Sequence, residues 1–340
     1  MRLLVLGGTA WLGHRIASTA LDRGHQVTAL ARGESGSPPE GVRLVRADRG
    51  TPGAYDEVAE QEWDAVIDVA RQPGQVRSAL AALSERARHW AFVSSCSVYA
   101  AHDTPGADES AALLPALEGD EATLETYGEG KVACERAVIE ARGSVGALVA
   151  RSGLITGPGD HSDRTGYWPL RFAHPATDDG SVLVPDSSLT TQVIDARDLA
   201  DWLVRCAEDG VTGTMNASGP QLPLAEHLAT ARQVAGHSGE LVPVSQDWLT
   251  EQGVEPWSGP RSLPLWLPLP EYAGFMARDT SAAQGAGLTC RPLAESLEDV
   301  LAWELQQGPG RPRRAGLAPQ EERDLLAAAR AAAGAGAGAG

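Results

Sequence analysis

Hydrophobic positions along the chain fall into short unbroken apolar runs that alternate with stretches of helical periodicity. Arg2–Leu6 is an apolar run ending at Gly7-Gly8, the pattern of a strand buried on both faces. Residues 11–23 carry apolar positions at helical spacing, and Gly24 is a stop. Gln26–Ala31 predicts a second strand. Residues 63–70, with the core Ala65-Val66-Ile67-Asp68-Val69, predict another. A helix is predicted over 75–87, a strand over 90–95, a helix over Tyr127–Arg142 and a strand over 147–151. Strands alternating with helices imply α/β architecture, a doubly wound parallel sheet covered on both faces.

The texture changes after Arg151. Residues 152–186 are rich in Gly, Pro and Asp and read as irregular, before a strand at 190–194 and a helix at 196–208. From Pro220 the pattern is more helical, broken by proline-rich residues 257–270. The expected division is 1–151 plus 187–216 for the sheet domain and 152–186 plus 217–316 for a smaller C-terminal substrate-binding lobe. A C-terminal helix is expected over 317–332. Residues 333–340 are an Ala/Gly tail with no side chains to bury, expected to be disordered.

Composition narrows the function. A formal net charge of −17 argues against a nucleic-acid backbone or an anionic membrane as partner. The four cysteines form no CxxC, which suits reduced structural thiols in a cytoplasmic protein. The eight histidines form no HxxxH or His/Cys cluster, so no protein-bound metal is expected. No stretch approaches the length of a membrane span, and the first apolar run reads as a strand, not a signal peptide.

Three motifs carry chemistry. Gly7-Gly8-Thr9-Ala10-Trp11-Leu12-Gly13 lies between a strand and a helix, where a tight turn lets backbone approach a pyrophosphate at the helix N-terminus. This makes the sheet a Rossmann-type dinucleotide-binding domain. The second strand ends Ala31-Arg32-Gly33 without the acid that holds a ribose 2′-hydroxyl, and Arg32 suits a 2′-phosphate. The lean is therefore to NADP over NAD, with a solvent-facing Arg32 the alternative. Asp48 reads either as an acceptor for the adenine amino group or as a turn aspartate. Phe92-Val93-Ser94-Ser95-Cys96-Ser97 delivers hydroxyls at a strand's C-terminal end, where ligands bind in such sheets. Finally, Lys131 is the one lysine among 28 basic residues, four positions after Tyr127. On a helix the two share a face. An ammonium is a compact charge with three donors, and beside a phenol it favours the phenolate needed for proton transfer.

On these motifs the chain resembles an extended short-chain dehydrogenase/reductase of the NAD-dependent epimerase/dehydratase family. The resemblance covers residues 1–219 with specific motifs and is looser to about residue 303. It implies Ser95, Tyr127 and Lys131 as the catalytic set, with Lys131 also bonding the nicotinamide ribose. It implies Gly7, Thr9, Ala10, Trp11, Leu12, Gly13, Arg32, Asp48, Val69 and Ala70 around the cofactor. Arg151 and Gly157-Pro158 match a further family motif, and a homodimer is a family expectation. Leu154 stands where sugar-nucleotide enzymes carry an asparagine, which counts against a nucleotide-sugar substrate. Ser97, Arg164, Tyr167 and Arg171 are the candidate substrate contacts. The acidic insert at 103–125 is read as a surface insertion ahead of a lid, and the apolar 257–268 segment as lobe core ahead of a pocket lining or subunit contact. Asp195, Arg197 and Asp198 read as capping and ion-pair residues.

The expected function is an NAD(P)-dependent oxidoreductase, a reductase transferring hydride at a carbonyl or alcohol carbon of a small molecule. Alternatives are a nucleotide-sugar epimerase or dehydratase with tightly held NAD, and a non-catalytic dinucleotide-sensing or RNA-binding relative.

Overall fold

Arg2–Leu6 (β1) is buried at every residue after Arg2 and lies inside a seven-stranded sheet. Gln26–Ala31 (β2) and Arg43–Arg46 (β3) follow on one side. Trp63–Asp68 (β4), Ala87–Ser95 (β5), Ala147–Ser152 (β6) and Gly213–Ala217 (β7) follow on the other. Every pairing in this sheet is parallel. The strand order reverses between β1 and β4, so the crevice for a ligand opens at the C-terminal ends of these two strands. Side chains alternate across the sheet. Leu3 and Val5 pack with Ile16 and Ala20 of Trp11–Asp22 (α1) and Leu199 and Leu203 of Ala196–Asp209, while Leu4 and Leu6 pack with Val76 and Leu80 of Pro73–Leu83 (α2) and Val138 of Tyr127–Arg142 (α3). Burial on both faces explains why the strands read as continuous apolar runs.

This computed structural model describes residues 1–143 and 146–337. They divide into two units. The first comprises Met1–Ile155, Val193–Pro220 and Arg278–Cys290; the second is Thr156–Gln192, Gln221–Ala277 and Arg291–Gly340. Arg278–Cys290 thus belongs with the sheet and not with the lobe as expected. Asn216 Nδ2 on β7 donates to the Asp279 carbonyl at 2.9 Å within that unit.

Some local expectations need correction, and one strand is added. The helix expected over 75–87 ends at Leu83, because Ala87 and His89 are taken into register with Trp63 and Ala65 of β4. The strand β7 had no apolar run to announce it and exists through its pairing with β6. Residues 152–186 are not irregular throughout, since they hold a helix at Tyr167–Ala173 and a strand at Val182–Pro185. In the second unit Trp168 donates to the Pro264 carbonyl at 2.7 Å, and Leu263, Leu265 and Trp266 are buried, so the apolar 257–268 segment supplies core. The final helix runs Pro319–Ala337, past the expected end at 332; residues 338–340 of the tail lie outside the described residues. Among the described residues no helix is long and apolar enough to cross a membrane.

Candidate active site

The turn after β1 is built for close approach. Gly7 has φ +95°, and a Cβ there would lie 2.7 Å from Val69 Cγ2. A Cβ on Gly13 would lie 2.2 Å from the Gly7 carbonyl oxygen, so glycine lets α1 close onto the turn. Ala10 offers no side-chain cap and the first turn of α1 holds no acid, so no carboxylate of this turn competes with an anion for the positive dipole end. A groove of about 390 Å³ lies here, lined by Gly7, Thr9, Ala10, Arg32, Asp48, Val69 and Ala70 among others. These features fit a dinucleotide. Trp11, Leu12 and Gly13 are not among the lining residues; Leu12 packs on the core and Gly13 serves the turn.

Arg32 in the groove lining is exposed and pairs with Glu34 at 3.2 Å. Sequence reading missed its neighbour. The β2–β3 register sets Ala31 opposite Arg46, and a Cβ on Gly33 would lie 3.6 Å from Arg46 Nη1. The available signal was a basic residue ending the strand beside Ala31-Arg32. Asp48 takes the turn role, accepting from the Gly50 N–H at 2.9 Å, and also lines the groove. Beneath it Arg49 and Asp68 form a buried bidentate pair at 2.8 Å.

The hydroxyl cluster ends β5. Ser95 Oγ accepts from the Ser97 N–H and donates to Ser97 Oγ, both at 3.1 Å, so Ser97 orients the Ser95 hydroxyl. The helix α3 begins at Tyr127 and packs onto this turn through glycine. A Cβ on Gly128 would lie 2.4 Å from the Ser97 carbonyl oxygen, and one on Gly130 would lie 2.5 Å from Ala122 Cβ. Glycine costs a helix interior roughly 1 kcal/mol against alanine. Here that cost obtains contact between the Tyr127 turn of the helix and the Ser95–Ser97 turn. Lys131 is 2% exposed. Its ammonium donates to the carbonyls of Ala70 and Val93, each at 2.7 Å, at the ends of β4 and β5. A planar guanidinium is bulkier than the ammonium held in this pocket, which gives a structural reason for the lone lysine.

Behind the cluster lies a buried polar network. Ser94 Oγ donates to Glu135 at 2.5 Å, Arg151 pairs with Glu135 at 2.9 Å, Arg151 donates to the Tyr99 hydroxyl at 3.1 Å, and Tyr99 donates to Asn216 at 2.6 Å. Burial pushes the Cys96 thiol up to about 12, so it is an unreactive neighbour. The insert at 103–125 is tied down on this framework. Arg151 donates to the Glu109 carbonyl at 3.0 Å, the Asn216 N–H donates to the Glu109 carboxylate at 2.6 Å, and Gln72 makes two bonds with the Ala122 backbone.

Arg164, Tyr167 and Arg171 belong to the second unit. Arg164 lies over the Trp257 ring at 4.7 Å. Tyr167 and Arg171 are buried, and Arg171 pairs with Glu322 at 2.9 Å and donates to the Leu317 carbonyl at 2.6 Å. Burial and that pairing give both a structural task that their sequence context did not suggest. The expected capping role is found at Asp195, which accepts from the Arg197 N–H at 2.9 Å and pairs with its guanidinium at 2.7 Å. None of the four cysteines is in a disulfide. Among the described residues no three His, Cys, Asp or Glu side chains form a cluster able to hold a metal.

Comparison with known proteins gives three kinds of match. The profile of the NAD dependent epimerase/dehydratase family matches residues 3–85 and 74–217. A 2′-dehydrokanamycin reductase of Streptomyces kanamyceticus is 29% identical over 264 residues, covering 74% of this chain and 72% of that protein. A 3-diazoavenalumate denitrifying reductase of a Streptomyces species is 26% identical, over 84% of this chain and 92% of that protein. Among solved structures, UDP-glucuronic acid 4-epimerase of Bacillus cereus in complex with NAD superposes with TM-score 0.65 at 15% identity, covering 90% of this chain and 99% of that one. That likeness concerns the fold alone.

Proposed function

The chain belongs to the NAD dependent epimerase/dehydratase family, and from that premise we propose that it is a nicotinamide-dependent reductase of a small-molecule carbonyl. The observation that carries this reading is the pair of Lys131 bonds, which bind the Tyr127 helix to the strand ends beside the dinucleotide groove and the Ser95 turn. A bound nicotinamide supplies or takes the hydride. Ser95 redirects the proton it shares with Ser97 Oγ to the substrate oxygen, while the Ser97 N–H continues to hold the Ser95 Oγ in place. Tyr127 delivers a proton to that oxygen on reduction and removes it in the reverse direction. Lys131 has three donors and gives two to the protein, leaving one for the cofactor ribose.

Reduction is favoured over epimerisation on two grounds. Both curated relatives carry reductase names. Leu154, 7% exposed, offers no polar group to a sugar diphosphate. NADP is favoured over NAD by Arg32 and Arg46 at the end of β2 and β3. The reading extends to a cytoplasmic enzyme and, as a family expectation, a homodimer, and the charge of −17 argues against a nucleic-acid partner.

The test is titration of purified protein with NADPH and NADH by nicotinamide fluorescence, followed by turnover of ketone substrates with wild type and Tyr127→Phe. Tight NADPH binding and loss of turnover by about 100-fold or more in the variant are expected. Unchanged turnover in Tyr127→Phe would sink the mechanism. Failure to bind either nucleotide, with none co-purifying, would sink the reductase assignment itself.

A further inference from the structure

The second unit contains a cavity of about 680 Å³, within the range of small-molecule sites. Its wall is chemically unusual for this chain. Arg171, Arg261, Arg311, Arg313 and Arg323 line it, five of 28 basic residues in a protein of charge −17. Among its described lining residues Glu321 is the one carboxylate. The remaining surface is largely apolar, with Leu170, Pro260, Pro312 and Leu317 contributing.

Three acids that fix these arginines are not part of the lining. Glu322 pairs with Arg171 at 2.9 Å. Glu304 receives Arg313 in a bidentate pair at 2.8 and 3.0 Å, and Arg311 at 2.9 Å. Asp163 pairs with Arg311 and accepts from the Arg314 N–H at 2.8 Å. Buried ion pairs contribute little net stability, because desolvation offsets most of the attraction. What they do provide is guanidiniums already held in place, so that a ligand loses less ordering entropy on binding. Backbone strain marks the same place. Asp163 (φ 63°) and Arg261 (φ 51°) are two of the four described non-glycine residues at positive φ. Such conformations are strained and cluster at ligand sites.

Two arginines are less committed than the rest. Arg261 donates to the Gln252 carbonyl at 3.0 Å and reaches Glu321 only at 4.0 Å, with a third of its side chain exposed. Arg323 donates to the Ala176 carbonyl at 2.9 Å and to neutral Gln320. Among the described residues Arg323 has no carboxylate partner, and the one carboxylate that Arg261 reaches, Glu321, stands 4.0 Å away.

We propose that this cavity is a binding site for a small organic anion, an apolar body carrying a carboxylate or phosphate group. The apolar wall takes the body, and Arg261 and Arg323 take the acidic group through charge-assisted hydrogen bonds. The inference is independent of the reductase assignment, since it uses no residue of the dinucleotide groove or the Ser95, Tyr127 and Lys131 set.

The experiment is isothermal titration calorimetry of the full chain with benzoate, phenyl phosphate and the neutral benzyl alcohol as probes. At least one anion binds at sub-millimolar concentration, with the alcohol weaker by about ten-fold or more. Stronger benzoate identifies a carboxylate ligand, and stronger phenyl phosphate a phosphate monoester. Arg261→Ala and Arg323→Ala each weaken the anion by about ten-fold, while Tyr127→Phe leaves it unchanged. Should Arg323→Ala unfold, through its tie to Ala176, Arg261→Ala decides alone. Absence of anion binding at millimolar concentration, equal binding of benzyl alcohol, or anion binding unaltered in folded Arg261→Ala overturns the proposal.

Discussion

Lys131 Nζ and the Val93 carbonyl oxygen are 2.7 Å apart, and this bond ties the helix that begins at Tyr127 to the strand that ends at Ser95. The second bond, to Ala70, ties the same ammonium to the chain leaving β4. One side chain therefore holds the Tyr127 helix, the strand that ends at Ser95 and the chain at Ala70 in a common frame.

Removing that ammonium should damage both stability and cofactor binding. Lys131→Ala leaves two buried carbonyls without their donor, at about 1–3 kcal/mol each. A lowered melting temperature and NADPH affinity reduced by about ten-fold or more are expected. Lys131→Arg should not restore either, because a planar guanidinium does not fit the two carbonyls that an ammonium reaches at 2.7 Å. Thermal melts and fluorescence titration of both variants check this; full rescue by arginine would show that charge alone matters.

Gly128→Ala tests the packing of the Tyr127 helix against the Ser95–Ser97 turn. The added Cβ would lie 2.4 Å from the Ser97 oxygen, so the helix start must move. Alanine improves helix propensity by roughly 1 kcal/mol, yet a displacement near 1 Å at a reacting group costs up to about 100-fold in rate. A fall in kcat with little change in KM is expected. Gly119→Ala, whose Cβ meets nothing within 4 Å, is the control. Equal kcat in the two variants would show that the contact does not position Tyr127.

Cofactor choice should depend on the two arginines at the ends of β2 and β3. Arg32→Ala and Arg46→Ala should each weaken NADPH by about ten-fold, the loss of one charge-assisted bond to phosphate. NADH should be unaffected. Parallel losses for both nucleotides would place these arginines elsewhere than at a 2′-phosphate.

Acid sensitivity has an identifiable source in the second unit. His227 is fully buried, and burial lowers its pKa to about 4 from the ordinary 6.5. Between those values the unfolded chain binds a proton that the folded chain does not, so stability is full above pH 6.5 and declines as pH falls toward 4. The effect is of order 2–3 kcal/mol at the acid end. His227→Gln should flatten the melting temperature over this window relative to wild type. A wild-type slope surviving in the variant would implicate other groups, with His102, also lowered to about 4 by burial and by Arg278, the next to test.

Local pattern in the sequence determined a large share of this protein. Apolar runs located β1, β2 and β4, because strands buried on both faces are filled mainly by apolar side chains. Helical spacing bounded Tyr127–Arg142, and the glycines at 7 and 13 marked the turn, since only a residue without Cβ fits there. The lone lysine was legible because every other cation was arginine.

Tertiary structure decided the rest. Gly213–Ala217 became a strand only by pairing with Ala147–Ser152, and Arg46 came beside Arg32 only through strand register. The Gly128 contact with Ser97 joins residues far apart in sequence, as does the cavity whose wall gathers Arg171, Arg261 and Arg323. Periodicity records which face of one segment is buried. It carries no record of which distant segment lies against that face, since many partners satisfy the same apolar pattern and only the packed whole selects one.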